Sequence, residues 1–283
     1  MNNNAISVSN VSKKYKNFSL NNISFDLPSG CIMGLIGENG AGKTTLIKII
    51  CGVILNKHGE VSLLGNENVK RFDKLCQDIG IVPDEISFPA KFKVKHVDKM
   101  MGYVFENWDT ELFYSYIKKF GIPENVQFRD YSFGEKKKLG IAAALSHDPK
   151  LLILDEATSG LDPVSRDDFI DILYDFTRDE NHSVLFSSHI VSDLEKLCDY
   201  IAVLHNGDLL LCEEKDVLLD TYCMVRGSKE ELSVFDSSDI IGTRKSPYGV
   251  QAVVKKKAVP SGTDFDNVSI EDLFVYMVKE DAS

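Results

Sequence analysis

Short apolar runs alternate with amphipathic stretches along most of this chain. In residues 6–8 and 23–27, apolar and polar side chains alternate with a period of two, which predicts half-exposed strands. Later runs are almost continuously apolar and predict buried strands: residues 32–36, 79–82, 151–154, 183–187 and 200–204. Helical patterns separate several of these runs. This order predicts an α/β fold whose main sheet has a parallel centre and helices on both faces.

One long segment departs from the alternation. Residues 85–146 carry apolar side chains at helical spacing, which predicts a helical insertion between two strands. Further along, Asn206 and Gly207 form a dipeptide typical of a tight hairpin turn. We therefore expect the strand at 200–204 to turn back into an added antiparallel strand.

The pattern weakens in the last quarter of the chain. Residues 225–257 have a strand-rich character, and Ser269 is suited to cap a final helix. We expect a main domain over residues 1–215 that contains the helical insertion. A small C-terminal α+β appendage is expected over residues 216–283.

Composition places limits on the function. The 283 residues carry a formal net charge of −11, whereas a general nucleic-acid binder needs a basic surface, so no nucleic-acid partner is expected. The longest apolar runs, near residues 31–36 and 49–55, fall far short of the roughly 20 residues that span a bilayer, and the polar start predicts no leader. The six cysteines form no C-x-x-C pair and are expected to be free thiols in a reducing cytoplasm. Any membrane spans are expected on another chain.

A glycine-rich segment lies between the apolar run 32–36 and a helical pattern. It reads Gly-x4-Gly-Lys-Thr and comprises Gly37, Glu38, Asn39, Gly40, Ala41, Gly42, Lys43, Thr44 and Thr45. This context predicts a P-loop, in which backbone N–H groups and a helix N-terminus bind phosphate. We expect Lys43 to reach the β- and γ-phosphates and the Thr44 hydroxyl to bind Mg²⁺. The alternative is a glycine turn beside an unrelated lysine.

Two adjacent carboxylates, Asp155 and Glu156, end the apolar run 151–154. Ligands of open α/β sheets gather at the carboxyl ends of the strands. We expect Asp155 to hold Mg²⁺, directly or through water, and Glu156 to accept a proton from the attacking water in hydrolysis. The alternative is a strand end followed by two solvated acids.

A serine-led segment, residues 131–135, precedes three consecutive lysines and an apolar helical pattern. Ser132 and the backbone of Gly134 could begin a helix whose N-terminus is aimed at an anion. Ser132 and Glu135 also have the spacing of a simple capping box, which on its own is the favoured interpretation. Lysines in a first helical turn oppose the helix dipole, so we expect a negative ligand or partner near them.

Together these segments resemble the nucleotide-binding subunits of ABC transporters over residues 5–211. Residues 37–45 match the Walker A loop, 151–156 the Walker B strand, 131–135 the signature motif and 159–162 the D-loop. The resemblance implies a P-loop NTPase core with an antiparallel β subdomain and a helical insertion. It also implies ATP and Mg²⁺ as cofactors.

The resemblance implies roles for further side chains. His189 fits the switch histidine that contacts the γ-phosphate, and with Glu156 and Lys43 it completes the expected catalytic set. Tyr15 fits the aromatic residue that stacks on adenine. Each of these assignments comes from the family and not from the residue alone.

The family also implies an assembly. Two subunits, either copies of this chain or this chain with a homologous ATPase, would close head to tail with ATP between Walker A of one and the signature of the other. Ser132, Gly134 and Glu135 would then contact a nucleotide bound by the second subunit. Asp162 would cross the interface.

Two motifs depart from the family pattern, the glutamine loop and the signature. Asp84 stands where the glutamine loop usually carries Gln after a proline. A carboxylate can still touch Mg²⁺ or its waters, so Asp84 stays in the expected metal and nucleotide set. Tyr131 and Phe133 replace the usual Leu and Gly of the signature, while its serine and second glycine remain.

We therefore expect a cytoplasmic ATPase subunit that dimerises on ATP and lies peripherally on the inner face of the cell membrane. It would power export by a separate multi-span permease, and it resembles ATPases of small bacterial systems that export peptides, antibiotics or lipids. Among these substrates, we expect antimicrobial or amphipathic toxin peptides. The permease is expected to dock after Asp84 through Ile86, Phe88, Phe92 and Met100, although core packing explains these side chains equally well.

Two other classes of ATPase share these motifs, and a non-transport role on DNA or ribosomes is the alternative. DNA-repair and chromosome-structure ATPases carry a very long coiled coil between Walker A and the signature, where this chain has only residues 46–131. Ribosome-associated ATPases normally carry two such cassettes in one chain. The single cassette here favours the transporter subunit.

Overall fold

The computed structural model describes residues 4–66, 76–246 and 249–280. Its strands are β1 (Asn4–Lys14), β2 (Ser19–Pro28), β3 (Ile32–Ile36), β4 (His58–Leu63), β5 (Ile79–Val82), β6 (Leu151–Asp155), β7 (Ser183–Ser188), β8 (Tyr200–His205), β9 (Asp208–Glu214), β10 (Tyr222–Gly227), β11 (Ile240–Ser246), β12 (Gly249–Lys255) and β13 (Asp266–Asn267). Its helices are α1 (Lys43–Ile50), α2 (Val94–Val104), α3 (Thr110–Lys119), α4 (Phe133–Leu145), α5 (Pro163–Phe176), α6 (Val191–Leu197), α7 (Lys215–Thr221), α8 (Lys229–Leu232) and α9 (Ile270–Glu280).

The central sheet has the strand order β5-β6-β7-β3-β8-β9 among the described residues. Neighbouring strands from β5 to β8 are parallel, and β9 pairs with β8 in the antiparallel direction. Every residue of β3, β6 and β7 is buried, as expected for strands covered on both faces. The predicted parallel centre is confirmed. This order brings the carboxyl ends of β5, β6, β7 and β3 side by side.

A second sheet has the antiparallel order β2-β1-β4 in the described part of the chain. Its inward-facing side chains, such as Val8 and Leu27, share one core with Leu46 of α1 and Leu35 of β3. Helix α1, which follows the glycine loop, is therefore packed between the two sheets. This is the antiparallel β subdomain that the family resemblance implied, and it is confirmed.

The helical insertion predicted for residues 85–146 contains α2, α3 and α4. Phe113 of α3 is fully buried and packs against Trp108, with ring centroids 5.1 Å apart. On α4, Gly140 leaves room for the side chain of Ile86, which would lie 2.4 Å from a Cβ at that position. Helix α4 also contacts β5. These contacts fix the insertion to the edge of the central sheet.

The predicted hairpin at Asn206 and Gly207 joins β8 to β9. Both residues have left-handed backbone φ angles, 48° and 87°, as a two-residue hairpin turn of this type requires. A Cβ on Gly207 would lie 1.8 Å from the carbonyl oxygen of Ser19. The turn therefore needs glycine, because it packs directly against the start of β2.

Beyond β9, the described strands β11-β12-β10-β13 form another sheet, and α9 packs against β11. The strand-rich character predicted for residues 225–257 is confirmed. Ser269 caps α9, since its hydroxyl accepts a hydrogen bond from the N–H of Asp272 at 3.0 Å. The division of the chain at residue 215 stays a prediction.

None of the six cysteines, all of which lie in the described residues, forms a disulfide bond. Burial, and then the negative charge of Asp155, raise the pKa of Cys51 to about 12, so this thiol is not poised for nucleophilic chemistry.

None of the helices in the described part of the chain has the length and apolar character that a membrane span needs.

Candidate functional site

Two glycines of the loop after β3, Gly37 and Gly42, leave no room for a side chain. A Cβ on Gly37 would lie 2.5 Å from the carbonyl oxygen of Leu204, and one on Gly42 would lie 2.6 Å from the ring of Phe18. Gly42 has a φ of 112° and precedes α1, whose N-terminus has no side-chain cap. The first N–H groups of α1 are therefore free to bind an anion, which the helix dipole also favours.

Lys43 is buried at the centre of this loop. Its Nζ donates hydrogen bonds to the carbonyl oxygens of Gly37 at 2.6 Å and Glu38 at 3.3 Å, and it lies 3.1 Å from Oε1 of Glu156. The other oxygen of that carboxylate, Oε2, lies 2.7 Å from Nδ1 of His189. The side chain of Glu156 is only 11% exposed. The structure thus brings together all three residues that were predicted to be catalytic, with Glu156 between the other two.

The neighbouring strand end holds Glu156 in place. Its backbone φ of 50° is left-handed, which is uncommon for a residue other than glycine. Its N–H donates to both the carbonyl oxygen and the hydroxyl of Ser187, each at 3.1 Å. That hydroxyl in turn donates to Oδ1 of Asp155 at 2.7 Å. Ser187 therefore orients both acids, a role that the sequence interpretation missed although it placed this serine at a strand end.

Asp155 is almost fully buried beneath the loop. Burial raises the pKa of its carboxyl group most, hydrogen bonds from the hydroxyls of Ser187 and Thr44 lower it, and the charges of Asp84 and Glu156 raise it. The net shift is upward. Thr44 and Asp155, two of the predicted metal ligands, are therefore in contact.

Lys137 belongs to this site and was missed from the sequence. Its side chain is 1% exposed, and Nζ donates to the carbonyl oxygens of Pro83 at 3.0 Å and Asp155 at 3.1 Å. Oδ1 of Asp84 lies 3.6 Å from the same nitrogen. Burial lowers the pKa of Lys137 more than these neighbours raise it. The sequence carried little signal for this, because three consecutive residues cover only about 200° of a helix circumference, an arc that a surface helix can keep exposed.

The serine-led segment forms a capping box at the start of α4, as its spacing predicted. The hydroxyl of Ser132 accepts from the N–H of Glu135 at 3.2 Å, and the Glu135 carboxylate accepts from the N–H of Ser132 at 2.7 Å. Hydrogen bonds from Ser132 lower the pKa of Glu135. A Cβ on Gly134 would lie 2.8 Å from the carbonyl oxygen of Gly160. The predicted signature segment therefore rests directly on the predicted D-loop, and Ser132 stays exposed.

Asp162 of the D-loop caps α5. Its carboxylate accepts from the N–H of Ser165 at 3.0 Å and also from the Ser165 hydroxyl. These hydrogen bonds lower the pKa of Asp162 to about 2. Nζ of Lys138 lies 3.6 Å from the same carboxylate and so connects the D-loop to α4. With Lys137 turned inward, two of the three lysines have their negative partners within this chain, which the sequence interpretation did not foresee.

Tyr15 lies in the turn between β1 and β2 and is 41% exposed. Its ring is 5.7 Å from the ammonium nitrogen of Lys13. From the same turn, the ring of Phe18 lies against the glycine loop. At the end of β8, Nδ1 of His205 lies 3.6 Å from Oε2 of Glu38. Phe18 and His205 were not predicted, because a single aromatic residue or a histidine at a strand end carries little signal on its own.

The residues present fit a nucleoside triphosphate with a divalent cation. The uncapped N-terminus of α1 and the ammonium group of Lys43 offer donors to phosphate oxygens. The Thr44 hydroxyl and the Asp155 carboxylate offer the hard oxygen ligands that Mg²⁺ prefers.

Comparison with known proteins agrees with this geometry. Residues 20–159 match the family model described as ABC transporter. The lantibiotic transport ATP-binding protein SrtF of Streptococcus pyogenes is 35% identical over 75% of this chain and 91% of its own length. The bacitracin transport ATP-binding protein BcrA of Enterococcus faecalis is 32% identical over 72% of this chain and 68% of its own length. The ABC transporter ATP-binding protein YhcH of Bacillus subtilis is 29% identical over 97% of this chain and 91% of its own.

Solved structures share the fold. The protein cbiO1 from Clostridium perfringens, part of the ABC transporter complex cbiONQ, aligns with a TM-score of 0.62 at 25% identity over 76% of this chain and 91% of its own. A dimeric ATP-binding cassette bound to ADP and Pi aligns with a TM-score of 0.66 at 19% identity over 74% of this chain and 98% of its own. The predicted ABC ATPase fold is confirmed. This chain belongs to the ATP-binding proteins of ABC transporters, and it is the ATP-hydrolysing subunit of such a transporter.

Proposed function

We propose that this subunit dimerises on ATP and powers export of an antimicrobial or amphipathic peptide through a separate multi-span permease. The exposed N-terminus of α4 carries the proposal. Ser132 is exposed there, so a phosphate bound to another chain could contact both its hydroxyl and the end of the helix. SrtF and BcrA, whose names specify lantibiotic and bacitracin transport, support the substrate class.

Nucleotide binding is assigned to residues 37–45 and Tyr15. The loop would surround the β- and γ-phosphates with backbone N–H groups, and Tyr15 would stack on the adenine. Lys43 now bonds to two loop carbonyls and pairs with Glu156. Phosphate oxygens would draw its ammonium group away from Glu156, because a triphosphate carries more negative charge than one carboxylate.

Hydrolysis is assigned to the strand ends beside the loop. Thr44 and Asp155, with Asp84 at the next strand end, would hold Mg²⁺, which neutralises charge on the phosphate oxygens. Glu156 would accept the proton of the attacking water. His189 hydrogen-bonds to that carboxylate and is 44% exposed, so it can orient Glu156 and also reach toward the γ-phosphate.

The signature residues would act on the nucleotide of the second subunit. Ser132 and Gly134 would direct the N-terminus of α4 at the γ-phosphate, and Glu135 would keep the Ser132 hydroxyl in place through the capping box. Asp162 is exposed beside this segment and would cross the interface. The second subunit is a copy of this chain or a homologous ATPase.

A groove of about 220 Å³ beside the β5 edge would receive an apolar helix from the cytoplasmic side of the permease. Its apolar lining includes Ile81, Pro83, Ile86, Phe88, Met101 and Phe105. Of the predicted docking residues, Ile86 and Phe88 line this groove, whereas Phe92 and Met100 are not among its lining residues. Phe88 also packs edge-to-face on Phe128 with centroids 5.5 Å apart, so it serves core packing as well. Tyr103, on the helix beside the groove, is 81% exposed. Docking here would hold the subunit on the inner face of the cell membrane.

Purification from native membranes in mild detergent, followed by mass spectrometry, tests this function. We expect a multi-span membrane protein to co-purify and Tyr103→Asp to reduce its amount. Val53→Asp is the matched control, because Val53 is also an exposed apolar residue, at 71%. ATP-dependent binding to ribosomes without any membrane protein would contradict the proposal.

A further inference from the structure

Lys137 connects three segments that meet at the ATP site. It lies on α4, five residues after the capping serine, and its ammonium group donates to the carbonyl oxygen of Pro83 in the loop after β5 and to that of Asp155 at the end of β6. Oδ1 of Asp84 lies 3.6 Å from the same ammonium nitrogen. A movement of α4 would therefore be transmitted to a metal-binding strand end and to the loop that carries Asp84.

The charges around this point explain why the buried residue is a lysine. The carboxylates of Asp84, Asp155 and Glu156 face the ammonium groups of Lys43 and Lys137. Burial of an ammonium group is costly, and it is tolerated when carbonyl oxygens and a carboxylate compensate it. Without Lys137, the site would contain three carboxylates and only one ammonium group. Its negative charge would then repel the anionic triphosphate that it has to bind.

We propose that Lys137 is a positioning residue of this ATPase that neutralises Asp84 and fixes the loop after β5 to the metal-binding end of β6. ATP affinity and the Mg²⁺ requirement then depend on Asp84 and Lys137 as a unit. The inference rests on the nucleotide site proposed above. It assigns Lys137 no contact with the reacting atoms.

A double-mutant cycle on the full chain tests the inference. Lys137→Gln leaves Asp84 without its counter-ion and is expected to weaken ATP binding in EDTA about tenfold, the size of a close charge coupling. The freed carboxylate beside Asp155 should at the same time lower the Mg²⁺ concentration that gives half-maximal hydrolysis. Asp84→Asn removes an expected Mg²⁺ ligand together with its negative charge, so it should raise the Mg²⁺ concentration for half-maximal hydrolysis, while ATP binding in EDTA should be at least as tight as in the wild type. The double variant, which removes both charges, should return within about threefold of wild type in ATP binding in EDTA.

Lys136→Gln is the matched control, since Lys136 is on the same helical turn but lies over the ring of Phe128, 5.3 Å from its centroid. It should leave both measurements unchanged.

Simple structural damage by Lys137→Gln would weaken ATP and Mg²⁺ binding together, and the double variant would not recover. This result would overturn the inference. If Lys137→Gln alone does not fold, recovery of folding and ATP binding in the double variant supports the inference, and failure of both overturns it. Absence of ATP binding in the wild-type protein would instead contradict the nucleotide site itself.

Discussion

The ammonium nitrogen of Lys43 lies 3.1 Å from Oε1 of Glu156, so the residue assigned to phosphate binding also holds the residue assigned to water activation. The second carboxylate oxygen lies 2.7 Å from Nδ1 of His189. Phosphate oxygens would compete with Glu156 for Lys43 but leave the contact with His189 intact. Nucleotide binding would thereby release one oxygen of Glu156 to accept a proton from water.

Lys43→Ala is expected to weaken ATP binding by a factor of about 10–100, because a hydrogen bond from a charged donor contributes about 1.5–3 kcal/mol. Isothermal titration calorimetry measures this affinity. Lys48→Ala is the control, since Lys48 lies on the same helix and is exposed. Unchanged affinity in Lys43→Ala would count against the P-loop assignment.

Glu156→Gln is expected to retain ATP binding while hydrolysis falls by a factor of about 10²–10⁴, as loss of a general base does. The amide preserves the shape of the side chain but cannot accept the proton. A phosphate-release assay measures the rate, and Glu60→Gln at an exposed position of β4 is the control. Near-normal hydrolysis in Glu156→Gln would remove this residue from the proposed role.

The stabilising effect of Asp162 should depend on pH. Its pKa is about 2 in the folded chain and 3.8 as its ordinary value, so the folded state favours the ionised form. This contribution is present above pH 3.8 and is lost as the pH falls toward 2. We expect Asp162→Asn to lower the free energy of unfolding at pH 7, with a difference from wild type that shrinks below about pH 4.

Urea unfolding between pH 7 and pH 3 measures the effect of Asp162→Asn. Asp167→Asn changes an exposed acid of the same helix and serves as the control. A difference between Asp162→Asn and wild type that stays constant over this range would show that the hydrogen bonds to Ser165 do not favour the ionised carboxylate.

Alanine substitutions at two glycines with left-handed backbone distinguish the cost of backbone strain from the cost of a steric clash. Gly121 has a φ of 64° and open space around a Cβ, so Gly121→Ala should cost only the strain, about 1–2 kcal/mol. Gly207 has a φ of 87°, and a Cβ there would overlap the backbone of Ser19. Gly207→Ala should therefore cost more, about 3–5 kcal/mol. Equal losses of unfolding free energy in the two variants would contradict the packing of the hairpin on β2.

The residues at the strand ends could be predicted because each follows an apolar run that is visible in the sequence. Lys43 follows the run that forms β3, Asp155 ends β6 with Glu156 directly after it, and His189 follows β7. Carboxyl ends of parallel strands meet at one edge of a sheet, so these residues had to lie near one another. The strand order that makes them direct neighbours is not contained in the hydrophobic pattern and is known from the structure.

The contacts of Lys137 and Ser187 could not be predicted, because they depend on the direction of individual side chains. A run of three lysines on a helix does not show whether one of them turns inward, which one it is, or what it meets. The inward turn of Lys137 toward Asp84 requires the position of α4 against β5 and β6, which is set by long-range packing. For Ser132 and Glu135 the local pattern was sufficient, since a capping box is formed within four residues.

ATP-driven dimerisation of the Glu156→Gln variant, measured by analytical ultracentrifugation, tests most directly the claim that the nucleotide site is completed by a second subunit. With ATP and Mg²⁺ we predict a dimer, and with ADP a monomer. Adding Ser132→Arg should abolish the dimer while ATP binding to the monomer is retained, whereas Ser115→Arg, at an exposed position of α3, should not. A Glu156→Gln protein that binds ATP and remains monomeric, or a dimer that persists with Ser132→Arg, would contradict this claim.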